Sequence, residues 1–160
     1  MLTIRPAEEK DYPYIVRWNE KKGTTYLIQW SGFVAYTYPL TEEQVQKQAE
    51  KDGVHLYVIC ENDTPIGAGE ICDVDPKAKT GRLCRLILAE ESKSKGYGEI
   101  FIKELCRIAF EEMGLNVLSL RVYCFNASAI RCYEKVGVRV AEFFEENNPH
   151  WNNYSMEYKK

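Results

Sequence analysis

Leu86-Ile87-Leu88-Ala89-Glu90-Glu91-Ser92-Lys93-Ser94-Lys95-Gly96-Tyr97-Gly98 is the stretch from which the rest of the chain is read. It begins as an apolar strand and ends in a glycine-rich turn that opens a helix. In that helix Phe101, Ile102, Leu105, Ile108 and Ala109 fall on one face, Lys103, Glu104, Arg107 and Glu111 on the other, and Gly114 sits where a C-cap belongs. A turn of this kind aims several backbone N–H groups and the positive end of the helix dipole at one spot, and residues without Cβ let an anion approach. The spot is predicted to bind phosphate. Two common phosphate loops are excluded by spacing: no Gly precedes Gly96 as GxxxxGK(S/T) requires, and no third Gly follows Gly98 as GxGxxG requires.

Toward the N-terminus, Val54 to Glu61 is β-branched and aromatic, Asn62 to Pro65 supplies turn chemistry, and Ile66 to Val74 resumes the strand character. A second turn at Asp75-Pro76-Lys77 leads to Gly81 and the strand Leu83 to Leu88, so three antiparallel strands run in succession. Leu2 to Arg5 reads as a further strand. Asp11-Tyr12-Pro13 reads as an N-cap with a first-turn proline, opening a helix toward Trp18. Residues 23–40, rich in Gly, Thr and aromatics, show neither period and are expected to form a loop and one wall of a pocket. Thr41-Glu42-Glu43-Gln44 reads as a capping box, with a helix to about Lys51.

Toward the C-terminus, Leu118, Leu120, Val122 and Cys124 alternate with Ser119, Arg121 and Tyr123, the period of a strand. Ala127 to Val136 reads as a short helix between an Asn126 cap and a Gly137 stop, and Val138 to Glu145 with Tyr154 to Tyr158 as a closing pair. The class is α/β, or α+β, and residues 1–160 are expected to form a single domain, since no repeat or linker interrupts them.

Hydrophobic residues make up 45% and charged residues 28%, which is ordinary globular composition. The net charge of -3, without a basic stripe, argues against nucleic acid as a partner. Cys60, Cys72, Cys84, Cys106, Cys124 and Cys132 stand singly in apolar stretches and are expected to be buried, reduced thiols of a cytoplasmic protein. Two His and dispersed Cys give no metal-ligand spacing, and no apolar run is long enough to span a membrane.

Lys93 to Gly98 resembles the acetyl-CoA signature of the GNAT superfamily, Gln/Arg-x-x-Gly-x-Gly/Ala, with Lys93 where the family has Arg or Gln. Asn126-Ala127-Ser128-Ala129-Ile130-Arg131-Cys132-Tyr133-Glu134-Lys135-Val136-Gly137 resembles its second signature, an Asn followed by a helix carrying Ala-x-x-x-Tyr-Glu-Lys-x-Gly. The resemblance implies a GNAT-like fold, a central mixed, mostly antiparallel twisted sheet of about six or seven strands flanked by about four helices. It implies acetyl-CoA as co-substrate, with no metal. Leu86, Ile87, Leu88, Lys93, Ser94, Lys95, Gly96, Tyr97, Gly98, Asn126, Ser128, Tyr133 and Lys135 would hold the cofactor, the loop amides on the pyrophosphate and Asn126 on the pantetheine arm. Asn126 and Tyr133 are seven residues apart, about two helical turns, so both could face one groove. Tyr133 would protonate the departing thiolate; the plainer readings are an N-cap for Asn126 and a core aromatic for Tyr133.

Acetyl transfer to an amine needs a neutral nucleophile, a stabilised oxyanion and a protonated leaving group. The resemblance makes Glu70, in the strand Ile66 to Cys72, the first candidate base; His55 and His150 are alternatives. That strand is expected to be the central one. Gly67 and Gly69 would leave room on one face while Glu70 points to the other, so Glu70 needs a bulge near Gly69 or a bridging water. Trp30, Tyr36, His150 and Trp151 are candidate walls of the acceptor pocket. The expected acceptor is a small-molecule amine or a peptide N-terminus, and Glu70, Asp73 and Asp75 favour a cationic one such as a polyamine or aminoglycoside. Self-association as a homodimer is left open. The competing function is an acyl-CoA sensor without turnover; a cysteine nucleophile has no supporting local motif.

Overall fold

A computed structural model describes residues 1–160. The chain carries seven strands, hydrogen-bonded in the order β1-β2-β3-β4-β5-β7-β6, and five α-helices, within the expected fold class. It forms two compact units, residues 1–72 with 84–95, and residues 73–83 with 96–160.

The first unit holds β1 (Leu2–Pro6), α1 (Tyr12–Asn19), α2 (Gly23–Ser31), α3 (Glu42–Ala49), β2 (His55–Glu61), most of β3 (Thr64–Asp75) and the second half of β4 (Thr80–Leu88). Antiparallel ladders join β1 to β2 and β2 to β3. Ile15, Leu27, Tyr36, Leu40, Val45, Val58, Cys60, Ala68 and Ile87 form its buried core. The strand-to-strand approach is close where Gly67 sits: a Cβ there would lie 2.6 Å from a Leu88 methyl and 2.8 Å from the Ile87 carbonyl oxygen. The space that Gly67 leaves is therefore filled by Ile87 and Leu88 of β4 and by Ile59 of β2, whose methyl would lie 2.9 Å away.

The second unit holds the first half of β4, α4 (Tyr97–Arg107), β5 (Val117–Tyr123), α5 (Ala127–Val136), β6 (Arg139–Phe144) and β7 (Asn153–Lys159). β4 runs parallel to β5 at Thr80, Gly81 and Arg82, joined through α4; β7 lies antiparallel between β5 and β6. Phe101, Leu105, Leu115, Leu118 and Met156 are fully buried. α4 follows the expected apolar face, then widens into a π-turn at Ile108–Glu112, where the Met113 amide donates to the Ile108 carbonyl.

Five expectations are corrected. Residues 23–31 are helical: Thr and aromatics are weak helix formers, and α2 is held instead by packing Tyr26, Leu27 and Trp30 on the core. Asp11 does not cap α1; its carboxylate accepts two hydrogen bonds from Arg5, at 2.7 and 2.9 Å. Thr41 does cap α3, but the Gln44 amide turns away to bind Thr37 and Pro39. The middle position of the sheet belongs to β4, not to the Ile66–Cys72 strand. The cysteines are not all thiols: Cys72 and Cys84 form a disulfide, Cys60 and Cys106 are buried and free, and Cys124 and Cys132 are half-buried and free. No helix is long and apolar enough to cross a membrane.

Candidate active site

The turn before α4 takes two left-handed residues, Ser94 (φ 61°) and Gly96 (φ 82°). Gly96 is the N-cap, and the Ile100 amide donates to its carbonyl at 3.2 Å, so the next amides point out along the helix axis toward its positive end. A Cβ on Gly96 would meet nothing within 4 Å; glycine is needed there for its backbone angle and not for space. Lys93 donates to Glu90 at 2.8 Å, and Lys22 approaches the same oxygen at 3.4 Å. Lys93, and after it Lys22, hold the Glu90 carboxyl below its usual range. Upstream, the parallel ladder to β5 ends at Arg82, so on the edge away from β3 the backbone of Leu86–Leu88 has no β5 partner. A groove of about 580 Å³ beside the loop is lined by Trp18, Lys22, Glu61, Glu90, Ser92 and Lys95 among others.

α5 starts as the sequence indicates. The Asn126 side-chain oxygen accepts from the Ala129 amide and the Ser128 hydroxyl, each at 3.4 Å, and Gly137 (φ 108°) ends the helix. Tyr133 is half-buried, and burial, with Cys132 as a lesser cause, raises its hydroxyl above the usual phenol range, which keeps it protonated at neutral pH. α4 packs on α5. Glu99 in the first turn of α4 is drawn down first by Lys103, its 2.7 Å partner, and more weakly by Lys135 of α5. The glycine turn's helix and the helix of Asn126, Ser128, Tyr133 and Lys135 are thus brought together within one unit.

Glu70 is buried, 1% exposed, on β3. Its Oε2 accepts from Arg85 Nε at 2.7 Å and contacts Arg85 Nη2, while Gln48 Nε2 stands 3.5 Å away. Its Oε1 is buried without a hydrogen-bond partner. The β2–β3 register runs unbroken from Ile59↔Gly67 to His55↔Ile71, and the irregularity falls between Ile59 and Cys60, so no bulge re-aims Glu70 at Gly69 on that side. Arg85 itself has φ 50°, a strained angle for a long side chain in mid-strand. Tyr36 is buried and stacks on Trp30 with centroids 5.5 Å apart. Burial first, then the Glu70 charge, pushes the Tyr36 hydroxyl up, with Arg85 opposing.

Each carboxylate of the acidic trio has a partner. Glu70 pairs with Arg85, Asp73 with Arg82 at 2.8 Å, and Asp75 accepts from the amides of Lys77 and Ala78 in its own turn. His55 is exposed at the start of β2, beside the Leu56↔Glu70 pair. In the second unit, His150 stacks on Phe125 (4.6 Å, 9°), Phe125 on Tyr123 (5.6 Å, 3°), and Trp151 meets all three edge-on. The structure groups Trp30, Tyr36 and Glu70 in one unit and His150 and Trp151 in the other. Arg85 and Gln48 were missed by sequence reasoning; a lone Arg within the apolar run Leu83 to Leu88 was the available signal for a buried acidic partner. Phe125 and Tyr123 carried no signal beyond their strand period.

Residues 8–138 match the acetyltransferase (GNAT) family. The SPbeta prophage-derived N-acetyltransferase YokL of Bacillus subtilis (strain 168) is 30% identical over 95 residues, 59% of this chain and 53% of that protein. The N-acetyltransferase CgeE of the same organism is 32% identical over 85 residues, 51% of this chain and 32% of that protein. The match thus spans about half of one relative and about a third of the other. Among solved structures, the spermidine N-acetyltransferase of Vibrio cholerae in complex with CoA and spermine has a TM-score of 0.82 at 19% identity, covering 99% of this chain and 95% of that one. Its dodecameric form has a TM-score of 0.77 at 21% identity, with 99% and 93% covered. At such identities the likeness is one of fold.

Proposed function

The chain belongs to the acetyltransferase (GNAT) family, and from that premise we propose that it transfers the acetyl group of acetyl-CoA to a primary amine of a small molecule or a peptide N-terminus. The observation that carries this reading is the start of α4, a left-handed Gly96 delivering outward-pointing amides, packed with the helix of Asn126 and Tyr133. Residues 1–160 act in it as one acetyltransferase domain. The amides after Gly96 would hold the pyrophosphate, with Lys93, Ser94, Lys95, Tyr97 and Gly98 around them. The β4 edge at Leu86–Leu88 would accept the pantetheine arm by strand-like hydrogen bonds. Asn126, Ser128 and Lys135 would complete the cofactor contacts, and no metal takes part.

The acceptor arrives as an ammonium and gives one proton to a base, Glu70 through Oε1 or a water, with His55 and His150 as rivals. The amine nitrogen then forms a bond to the thioester carbonyl carbon, and the C–S bond breaks as the tetrahedral intermediate collapses. The nitrogen sheds its second surplus proton to solvent, while the Tyr133 phenol protonates the thiolate and is reprotonated from solvent. One proton is released per turnover, with amide and free CoA as products. Trp30, Tyr36, His150 and Trp151 would contact the acceptor. A soluble cytoplasmic site of action, with neither nucleic acid nor membrane as partner, and self-association such as the Vibrio cholerae neighbour displays complete the reading.

The test is free-thiol release from acetyl-CoA across a panel of amines and N-terminal peptides. Amine-dependent release supports the reading. Tight acetyl-CoA binding without release from any amine favours a sensor.

A further inference from the structure

Arg85 and Glu70 each have unused hydrogen-bonding capacity. Glu70 spends Oε2 on Arg85 and leaves Oε1 without a donor. Arg85 spends Nε and Nη2 on Glu70 and leaves Nη1 without a partner. The Glu70 side chain is 1% exposed and that of Arg85 16%, so Arg85 is the more exposed member of the pair. Buried charged groups are costly to leave unsatisfied, and Arg85 keeps this conformation at a left-handed φ of 50°. The neighbours Gln48 and Tyr36 are neutral, with the Lys51 ammonium one step out on Gln48 Oε1 at 2.8 Å; Asp73 is held by Arg82, and Asp75 by its own turn. The charges of the pair sum to zero. Arg85 also precedes Leu86, where the proposed cofactor edge begins.

We propose that the acetyl acceptor is an amine carrying its own carboxylate, an amino-acid-type compound, and that Arg85 selects it. The carboxylate binds Nη1 of Arg85 by a charge-assisted hydrogen bond, and the ammonium turns to Oε1 of Glu70. The site is amphoteric like its ligand. A polyamine has no group for Nη1 and places its further ammonium beside the guanidinium.

This rests on the acetyltransferase reading, and the experiment separates the two. Thiol release is measured with free amino acids, the matching carboxamides and spermidine, using wild type, Arg85→Gln and Arg85→Lys. Wild type is expected to use the best amino acid with kcat/KM about ten- to a hundredfold above its carboxamide, and above spermidine. Arg85→Gln should erase the acid-over-amide preference and raise the relative use of spermidine; Arg85→Lys should keep part of it. If Arg85→Gln does not fold, the wild-type and Arg85→Lys ratios decide. Equal use of acid and amide by wild type, or a preference unchanged in Arg85→Lys and Arg85→Gln, overturns the proposal while leaving the acetyltransferase reading standing. Absence of release from every amine overturns both.

Discussion

Gly67 on β3 lies so close to Ile87 on β4 that a methyl group on it would sit 2.8 Å from the Ile87 carbonyl oxygen. The Ala89 amide donates to the Ile66 carbonyl at 2.8 Å next to this contact, so the two strands are locked at the end of the proposed cofactor edge. Gly67→Ala should therefore push Leu86–Leu88 out of place, destabilising the protein by about 1–3 kcal/mol, the usual cost of overpacking. It should also weaken acetyl-CoA binding. Thermal denaturation and calorimetry check the two effects; unchanged stability would mean that β4 yields freely.

Gly96 makes a different demand, on angle and not on space. Gly96→Val should strain the turn at φ 82° and lower acetyl-CoA affinity by about tenfold or more, whereas Gly96→Asn, which tolerates left-handed angles, should retain most of it. Calorimetry on both folded variants is the measurement. Equal loss in Asn and Val variants would assign the effect to side-chain bulk against the ligand instead of to backbone conformation.

Tyr133→Phe should lower kcat by roughly 10²–10⁴-fold with little change in acetyl-CoA affinity, since the ring stays and only the proton donor goes. Because burial raises the Tyr133 hydroxyl, the acid form persists above the ordinary phenol value of about 10, and no loss of wild-type kcat from its ionisation is expected below that pH. A wild-type kcat falling between pH 8 and 9 in step with a Tyr133-dependent group, about one to two units below the ordinary phenol value, would contradict the assignment.

Glu70→Gln should depress kcat/KM most at low pH, where the acceptor is almost wholly ammonium, and least as pH approaches an alkyl amine's value near 10.4, about where free amine supplies itself. The Arg85 partner is left without its counter-charge, so a circular-dichroism melt accompanies the profile. A profile parallel to wild type would make Glu70 a structural half of the ion pair and return the proton to His55, His150 or water.

The sequence was most readable where period and punctuation agree. The Gly96 turn, the α4 face, the Asn126 cap and the Gly137 stop all stand where spacing placed them, because each depends on interactions a few residues apart. α2 was not readable, since its helix is imposed by what Leu27, Tyr26 and Trp30 pack against. Glu70 stands out in the sequence as a strand carboxylate and candidate base, yet its partner lies fifteen residues away across a ladder, and no local pattern shows which Arg reaches it. The aromatic group around His150 likewise joins the end of β5 to the turn before β7, a contact made by the fold alone.

Group transfer is followed most plainly on the acetyl carbon itself. Acetyl-CoA labelled with a carbon isotope in the acetyl group is incubated with the protein and the amine that best promotes thiol release, and the label is followed by NMR. The labelled signal should leave its thioester position and appear as an amide on the amine, in step with free CoA. A label that stays on CoA, or that emerges only as acetate, would contradict it.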